Sequence, residues 1–499
     1  MDSSALGTAQ LVLGKADSTT HHLRGRSTLP PGCVTAGCTT PGGSSCVIVG
    51  GSARVDPLLQ GLTIQWAPPA GSPADLPLVF TYRSDCQSCL NELGYFWEAP
   101  YHRFAEPYNL SNPPSVNINT PLYIAYYAGP SPNYTSQGPN NNSLVGSTTT
   151  GWTETQPNGT AFTYDILGVL RTIRNRMGVR WTLTWDAGFD LVQHIDGPFG
   201  RRTTFAYDAN SMLRRIQDPG GRITTVTVNA NKDLVRIISP ELCITSLVYD
   251  NAHHLTAWVN PLGDRTTFIY RSGGTVGAVQ QPLGQRTSYT TLMGSPPPNA
   301  IINPRGGRTT LTNGSTGSFL TSVDPLGNQV TYKWDPYSAR LSQVIDARRV
   351  RFTYAYQSFS TGVYSVSEVR KPGYTFNYTS GKWQYAFAYD SNNRVRGMVD
   401  ELGNRSTLVW DANGNRIAVV DPYLRRTSFA YDSMGRLVAT QNALGQRATQ
   451  LYDAQGRQLA DINPLGKRTT YAYDQNSQLL RVVDPLGHIT TRTALPQAS

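Results

Sequence analysis

The chain has 499 residues, of which 39% are hydrophobic and 15% are charged, with a formal net charge of +10. This composition excludes a disordered chain, and the length is that of two to four ordinary domains or of one long repeat array. Tyr (27 residues) outnumbers Phe (14 residues), and the chain holds 46 Gly and 33 Pro. Because long helical patterns are missing, the sequence predicts short strands joined by many turns.

The positive charge comes mainly from arginine, since only six of the 43 basic residues are Lys. A basic balance can indicate nucleic acid or an anionic surface. The arginines recur at fixed spacing, which favours an architectural role, and we expect no nucleic-acid partner. The sequence contains no stretch of about 18 consecutive apolar residues, so we predict no membrane-spanning helix. The N-terminus lacks a basic start and an apolar core, so we expect either no export by a signal peptide or a leader missing from this sequence.

The first third of the chain divides into two regions. Residues 1–55 are rich in Gly, Ser, Thr and Pro, which predicts a tail or a loosely ordered cap. Residues 56–151 contain strand-like runs at 62–66 and 77–84, which predict a non-repetitive β-rich region. The aromatic cluster at 94–110 has two interpretations: a carbohydrate- or partner-binding surface, or a core that caps the rest of the chain.

Five of the six cysteines precede residue 90. Disulfides, free thiols and a metal site are three open interpretations, and an exported protein would favour disulfides. The spacings fit no standard zinc finger and there is only one CxxC pair, so we assign no metal ligands. The disulfide candidates are Cys33, Cys38, Cys46, Cys86 and Cys89. We expect Cys243 to be a small buried residue.

A repeat occupies residues 152–499, marked by an aromatic residue followed by Asp and by a turn resembling DPLG. The aromatic–Asp marker occurs at Tyr164, Trp185, Tyr207, Tyr249, Trp334, Tyr389, Trp410, Tyr431, Tyr452 and Tyr473. Most steps are 21 or 22 residues, or twice that. Residues 347–399 break this rhythm and indicate an insertion or a longer hairpin.

Each repeat predicts two strands and two turns. Pro pre-sets φ in the DPLG turn, and Gly435 suits the positive φ of a hairpin with a bulge. A single hairpin cannot bury its apolar face, so we expect the hairpins to stack into a continuous antiparallel ribbon with an aromatic ladder. We expect the recurring arginines to pair with repeat carboxylates or to lie on neighbouring rings. The predicted ladder residues are Tyr207, Tyr249, Trp410, Tyr431, Tyr452, Tyr473, Arg405, Arg426, Arg447 and Arg468.

The repeats resemble the YD repeats of the Rhs family, which are related to those of the teneurins. The resemblance rests on YDSMGRL (431–437), YDAQGRQL (452–459), DPLGN (324–328) and NPLGKRTTYAYD (463–474), and it covers roughly residues 160–495. It implies an all-β ribbon that spirals into a hollow shell, tube or filament. In bacterial relatives such a shell encloses a toxin, and in teneurins it serves adhesion.

Toxin-bearing relatives continue with a core segment, an aspartate pair for self-cleavage and an effector, and none of these follows Gly487 here. We therefore expect a fragment, an orphan shell, or a chain that assembles end to end through its last strand. No HExxH, GxSxG or GxxxxGK[ST] pattern occurs, so we assign no catalytic, cofactor or metal residues.

The sequence predicts a non-enzymatic scaffold, extracellular or at the cell surface, with self-association or other surface proteins as partners. Two alternatives stay open: the shell of a toxin whose effector is absent from this chain, and a carbohydrate-binding adhesin.

Overall fold

The computed structural model describes residues 45–48, 51–55, 62–68, 75–84, 90–108, 115–120, 124–136, 142–156, 158–291, 299–313, 319–335, 340–358, 364–370, 385–390, 394–400, 402–474 and 479–491. Within these residues the chain forms antiparallel strands and two short 3₁₀ segments, Pro198–Gly200 and Pro282–Gly284, with no α-helix. The predicted all-β hairpin array is therefore confirmed.

Seven strands come first in the chain. They are β1 (Ser45–Ile48), β2 (Gly51–Val55), β3 (Leu62–Trp66), β4 (Phe80–Arg83), β5 (Leu90–Asn91), β6 (Gly94–Tyr95) and β7 (Trp97–Glu98). Five of them form one sheet in the order β1-β2-β3-β4-β7, and β5 pairs with β6. We call residues 45–103 of the described chain the N-terminal unit.

All later strands form one sheet, in which each strand pairs with the next along the chain. Its first strands are β8 (Phe104–Pro107), β9 (Ser115–Asn119), β10 (Ile124–Ala128), β11 (Asn133–Ser136), β12 (Ser143–Ser147), β13 (Gly151–Thr155), β14 (Ala161–Tyr164), β15 (Leu170–Arg174), β16 (Arg180–Trp185), β17 (Val192–Asp196), β18 (Arg202–Tyr207), β19 (Leu213–Gln217), β20 (Ile223–Val228), β21 (Leu234–Ile238), β22 (Ile244–Tyr249), β23 (Leu255–Val259), β24 (Arg265–Tyr270), β25 (Val276–Gln280) and β26 (Arg286–Thr290).

The sheet continues through β27 (Ala300–Ile302), β28 (Arg308–Asn313), β29 (Phe319–Val323), β30 (Gln329–Trp334), β31 (Leu341–Ile345), β32 (Arg351–Ser358), β33 (Tyr364–Arg370), β34 (Tyr385–Tyr389), β35 (Val395–Asp400), β36 (Arg405–Trp410), β37 (Arg416–Val420), β38 (Arg426–Tyr431), β39 (Leu437–Gln441), β40 (Arg447–Tyr452), β41 (Gln458–Ile462), β42 (Arg468–Tyr473), β43 (Leu479–Val483) and β44 (Ile489–Thr491). We call β8 to β44 the ribbon. The irregular segment of the sequence contains the long hairpin of β32 and β33.

Both kinds of turn share one hydrogen-bond pattern. In the turn that starts at Asp432, the N–H of Asp432 donates to Arg436 O and the N–H of Gly435 donates to Asp432 O. The carboxylate Oδ1 of Asp432 accepts the N–H groups of Met434 and Arg436. Gly435 has φ +75°, where glycine carries no steric cost. The Asp-x-x-Gly spacing of the sequence therefore places the carboxylate acceptor and the positive-φ glycine that this turn needs.

Successive strands reverse direction, so the two kinds of turn lie at opposite edges of the ribbon. We call the edge with the aromatic–Asp turns the YD edge and the other the DPLG edge. At each well-formed YD turn a β-bulge precedes the aromatic residue, as between Ala430 and Tyr431 and between Leu451 and Tyr452. The bulge increases the local twist and helps the ribbon to curve.

The ribbon winds back on itself. Arg176 Nη1 donates to Gly414 O at 2.6 Å, across 238 residues of sequence. Met177 lies against Gly435, since a Cβ atom placed there would be only 2.5 Å from Met177 Cγ. These contacts join a DPLG-edge turn early in the ribbon to YD-edge turns late in it. The late hairpins therefore stack on the early ones.

The hydrophobic core lies between the N-terminal unit and the first part of the ribbon. It includes Tyr82 and Trp97 of the N-terminal unit and Phe205, Leu247 and Phe268 of the ribbon, all nearly inaccessible to solvent. We call the ribbon face that carries these residues the inner face. On it, paired residues such as Phe205 and Ile216 meet across neighbouring strands.

Candidate functional site: the inner face of the ribbon

The predicted ladder aromatics link hairpins through main-chain hydrogen bonds. Tyr207 OH donates to Val192 O at 2.7 Å, and Trp410 Nε1 donates to Val395 O at 2.7 Å. In both cases the acceptor lies 15 residues earlier, at the start of a preceding strand and beside its bulge. Phe has no donor, which explains why the marker is always Tyr or Trp. Tyr431 and Tyr452 make the same bond at 3.1 Å, to Arg416 O and Leu437 O.

The other two ladder aromatics have different partners. Tyr249 OH accepts a hydrogen bond from Trp97 Nε1 at 3.0 Å, which ties the ribbon to the N-terminal unit. The guanidinium carbon of Arg457 lies 5.3 Å from the ring centre of Tyr473. Each ladder ring therefore contacts a nearby residue, but the partner of the ring differs along the chain.

The arginine that pairs with the repeat aspartate is the one inside the YDxxGR turn. Arg436 Nε lies 2.6 Å from Asp432 Oδ2, and its guanidinium lies 4.7 Å from the ring centre of Tyr452. Arg394 and Arg457 repeat this arrangement. Burial alone would raise the pKa of Asp432, but the N–H groups and guanidinium of Arg436 lower it below its usual value.

The four arginines predicted from the sequence lie elsewhere. Each begins a strand at the DPLG edge and is exposed: Arg405, Arg426, Arg447 and Arg468. Arg426 Nε donates to Ser428 Oγ at 3.2 Å. Within the described part of the chain these four make no ion pair with the repeat aspartates. At the same repeat position, Arg202 lies 2.6 Å from Asp196, which is its cross-strand partner at the end of β17 and not a turn aspartate.

The aromatic cluster at 94–110 mostly belongs to the core that covers the inner face. Tyr95 stacks on His253 with ring centres 3.9 Å apart, and Tyr101 packs edge-on against Phe205 at 5.5 Å. Trp97 and Tyr101 are buried, so these rings are closed to a sugar, whereas Phe104 and Tyr108 are exposed.

Two buried ionic groups hold this covering in place. His102 lies 3.0 Å from both Glu92 and Glu98. Burial alone would lower the pKa of His102, but the two carboxylates raise it to about 10. Burial alone would raise the pKa of Glu92, but His102 lowers it. Protonated His102 and ionised Glu92 therefore form an ion pair in the core.

The second ionic group joins the N-terminal unit to the start of the ribbon. Glu154 is fully buried and pairs with Arg103. Glu154 Oε1 also accepts hydrogen bonds from Tyr127 OH at 2.6 Å and from Asn142 Nδ2 at 2.7 Å. Such a network is costly to open, because each buried polar group would lose its partners.

A cleft of about 700 Å³ lies between the YD-edge turns at 229–233 and 250–253. Tyr95 forms part of its wall, and His253 Nδ1 lies 2.9 Å from Asp233 Oδ1. No group of three or more His, Cys, Asp or Glu residues that could hold a metal ion occurs in the part of the chain that the structure describes.

The five predicted disulfide cysteines stay predictions. Cys33, Cys38, Cys86 and Cys89 lie outside the described residues, and only the backbone of Cys46 is described. Cys243 is buried, as expected, and is also disulfide-bonded, which the sequence did not indicate.

The inner face loses its covering in the later part of the ribbon. Phe205, Leu247 and Tyr289 are each 3% exposed under the N-terminal unit. The corresponding residues Leu408 and Phe429 are only half-buried. Their cross-strand neighbours are again apolar or uncharged, as in the pair of Leu408 with Val419. From β30 onward the described ribbon is thus one sheet thick, and its inner face is less buried and mostly apolar, apart from polar residues such as Gln450 and Asp461.

No described helix is long and apolar enough to cross a membrane.

A family model for the RHS repeat matches residues 389–424, 410–447 and 452–489. No curated protein matches the sequence. The chain is similar to the crystal structure of TcdB2-TccC3-Cdc42, with 13% identity, a TM-score of 0.49, and coverage of 88% of this chain and 27% of that one. It is also similar to the Photorhabdus luminescens Tc holotoxin pore carrying the TccC3 mutation D651A, with 12% identity, a TM-score of 0.26, and coverage of 88% and 26%.

The chain thus spans about a quarter of the length of these solved chains. The matched repeats are β34 to β44, where the YD turn, its aspartate–arginine pair and the exposed DPLG turn recur most regularly. The resemblance to the Rhs family is confirmed: the chain carries RHS repeats, which lie on an antiparallel β-ribbon.

Proposed function

We propose that this protein is a structural, non-enzymatic shell that encloses a polypeptide. The observation that supports the proposal is the change along the inner face. The N-terminal unit covers the first part of this face, whereas the same positions, most of them apolar, are mostly only half-buried from β30 to β44. An uncovered apolar face binds chain segments that expose apolar side chains.

The proposed guest is an unfolded or partly folded polypeptide, because such a chain offers apolar side chains without a fixed shape. One similar solved structure is a Tc holotoxin pore, and a toxin segment is the guest that we propose. We also propose a location outside the cell or at its surface. The disulfide at Cys243 supports this, because disulfides persist mainly in oxidising compartments.

A protease-protection assay tests the enclosure. An unstructured reporter peptide is fused after Ser499, and its cleavage is compared with that of the same peptide added separately. We expect the fused peptide to be cleaved much more slowly. The triple substitution Leu408→Ser, Val419→Ser and Phe429→Ser makes the inner face polar and should restore fast cleavage.

The matched control changes the opposite face of the same strands. Val409→Ser, Val420→Ser and Leu451→Ser remove similar apolar side chains from the outer face and should leave the protection intact. Circular dichroism shows whether each variant keeps its β structure. Equal cleavage of fused and separate peptide by the unmodified chain would refute the enclosure.

A further inference from the structure

Large apolar side chains recur at the third position of the DPLG-edge turns. Seven of them are 75–86% exposed: Leu283, Leu326, Leu402, Tyr423, Leu444, Leu465 and Leu486. Since these turns all lie at one edge of the ribbon, the side chains form a row, which we call the leucine row and which Arg305 and Arg348 interrupt before Leu402. Monomeric proteins rarely expose so many apolar side chains along one feature, and such patches mark interaction sites.

One apolar residue at the third position of a DPLG-edge turn is packed against another turn within the same chain. Met177 occupies the third position of the DPLG-edge turn at 175–178, and it is only half-buried rather than exposed. Its sulfur lies 3.6 Å from Asn415 Nδ2, and its side chain lies against Gly435. An apolar residue at this position therefore packs against another row of turns when one is available.

Most of the YD-edge turns in the described chain are already in contact. The turns at 165–168, 229–232 and 250–253 contact Ala105 or Tyr95. The turns at 411–414 and 432–435 contact Arg176 and Met177. The leucine row is therefore the larger turn surface that is still uncovered. A second copy of the chain offers the same surface as a partner for it. Contact between the leucine rows of two copies gives a two-fold symmetric interface.

The size of the row suits such a contact. Burying a Leu side chain stabilises by roughly 1.5–3 kcal/mol, and each Å² of buried apolar surface contributes about 25 cal/mol. One buried Leu therefore removes roughly 60–120 Å² of apolar surface from water. Seven such residues give roughly 400–800 Å² per copy, which approaches the ~800 Å² per partner of a standard interface.

We propose that two copies of this protein associate through their leucine rows. The exposed Arg426, Arg447 and Arg468 flank the row, so two copies bring like charges near each other. Salt screens this repulsion, and the dimer becomes tighter as ionic strength rises. Binding to an anionic surface would show the opposite salt dependence.

Sedimentation velocity of the full chain tests the proposal over a concentration series at low and high salt. We expect a monomer–dimer equilibrium with a micromolar dissociation constant that falls as salt is added. The triple substitution Leu444→Gln, Leu465→Gln and Leu486→Gln should weaken it by about tenfold or more. Leu167→Gln changes an exposed leucine of the YD edge and should leave the dimer unchanged.

A chain that stays monomeric at all concentrations overturns the proposal, and so does a dimer that the triple substitution leaves intact. Circular dichroism establishes that the triple variant is folded. The result is independent of the enclosure assay, because the leucine row lies at the DPLG edge and the reporter protection depends on the inner face.

Discussion

Replacing Tyr207 by Phe tests whether the YD aromatics join one hairpin to the next. The change keeps the ring and removes the hydroxyl that donates to Val192 O at 2.7 Å. Tyr207 is half-buried, and burial raises the pKa of its hydroxyl. A buried carbonyl that loses its donor costs roughly 1–2 kcal/mol.

A loss of this size should raise the local opening equilibrium about 5- to 30-fold. Hydrogen exchange followed by mass spectrometry measures this opening equilibrium in peptides covering β17 to β19. A local measurement is needed because a chain of this length need not unfold in a single two-state transition. Tyr431→Phe is the matched control, since its bond is longer, at 3.1 Å, and more exposed. We expect a loss of ~0.5 kcal/mol or less there.

Tyr431→Trp provides a second control, because the indole of Trp410 makes the same kind of bond to Val395 O at 2.7 Å. This variant should keep the protection of its hairpin. The reasoning is refuted if Tyr207→Phe leaves exchange unchanged, or if Phe at both positions speeds exchange equally.

Two further predictions concern contacts between distant parts of the chain. Gly435→Ala should loosen the stacking of late on early hairpins, because its Cβ would lie 2.5 Å from Met177 Cγ. Gly403 has a similar φ, +83° against +75°, and a Cβ atom there would meet nothing within 4 Å, so Gly403→Ala is the control. Exchange at residues 175–178 should rise only in the first variant. The pair of His102 and Glu92 should stabilise the fold fully between pH 4.5 and 6.5, the ordinary pKa values of Glu and His. This contribution is lost as pH rises through about 10, and also as pH falls through the lowered pKa of Glu92. Thermal unfolding against pH should therefore show a flatter profile for His102→Gln, and an unchanged profile would contradict the ion pair.

The repeat itself could be predicted from the sequence because its determinants are local. The alternation in 468–473 gives β42, and the Asp-x-x-Gly spacing gives the turn with Gly435 at φ +75°. The bulge before each YD aromatic also follows from the turn chemistry. These features depend on residues within one hairpin, which the sequence places side by side.

Features that depend on the winding of the ribbon could not be predicted. The contact of Met177 with Gly435 spans more than two hundred residues and has no local pattern. The sequence pattern pointed to Arg426 and its equivalents as partners of the repeat carboxylates, although Arg436 recurs with the same period. The structure selects Arg436, because it lies in the same turn as Asp432.

The fate of the aromatic cluster at 94–110 depended on burial, which sequence alone does not give. Trp97 and Tyr101 were consistent with a sugar-binding surface as well as with a covering core, and the structure buries both. The uncovered inner face from β30 onward was also hidden, because its repeats have the same pattern as the covered ones.

An electron cryo-microscopy map of the purified chain tests the central claim most directly. The account predicts a one-sheet wall from β30 to β44, with the turns at 411–414 and 432–435 stacked on the turn at 175–178 and with the inner face covered only in its first part. Separate compact globules, or a second layer of this chain packed over the inner face of β30 to β44, would contradict it.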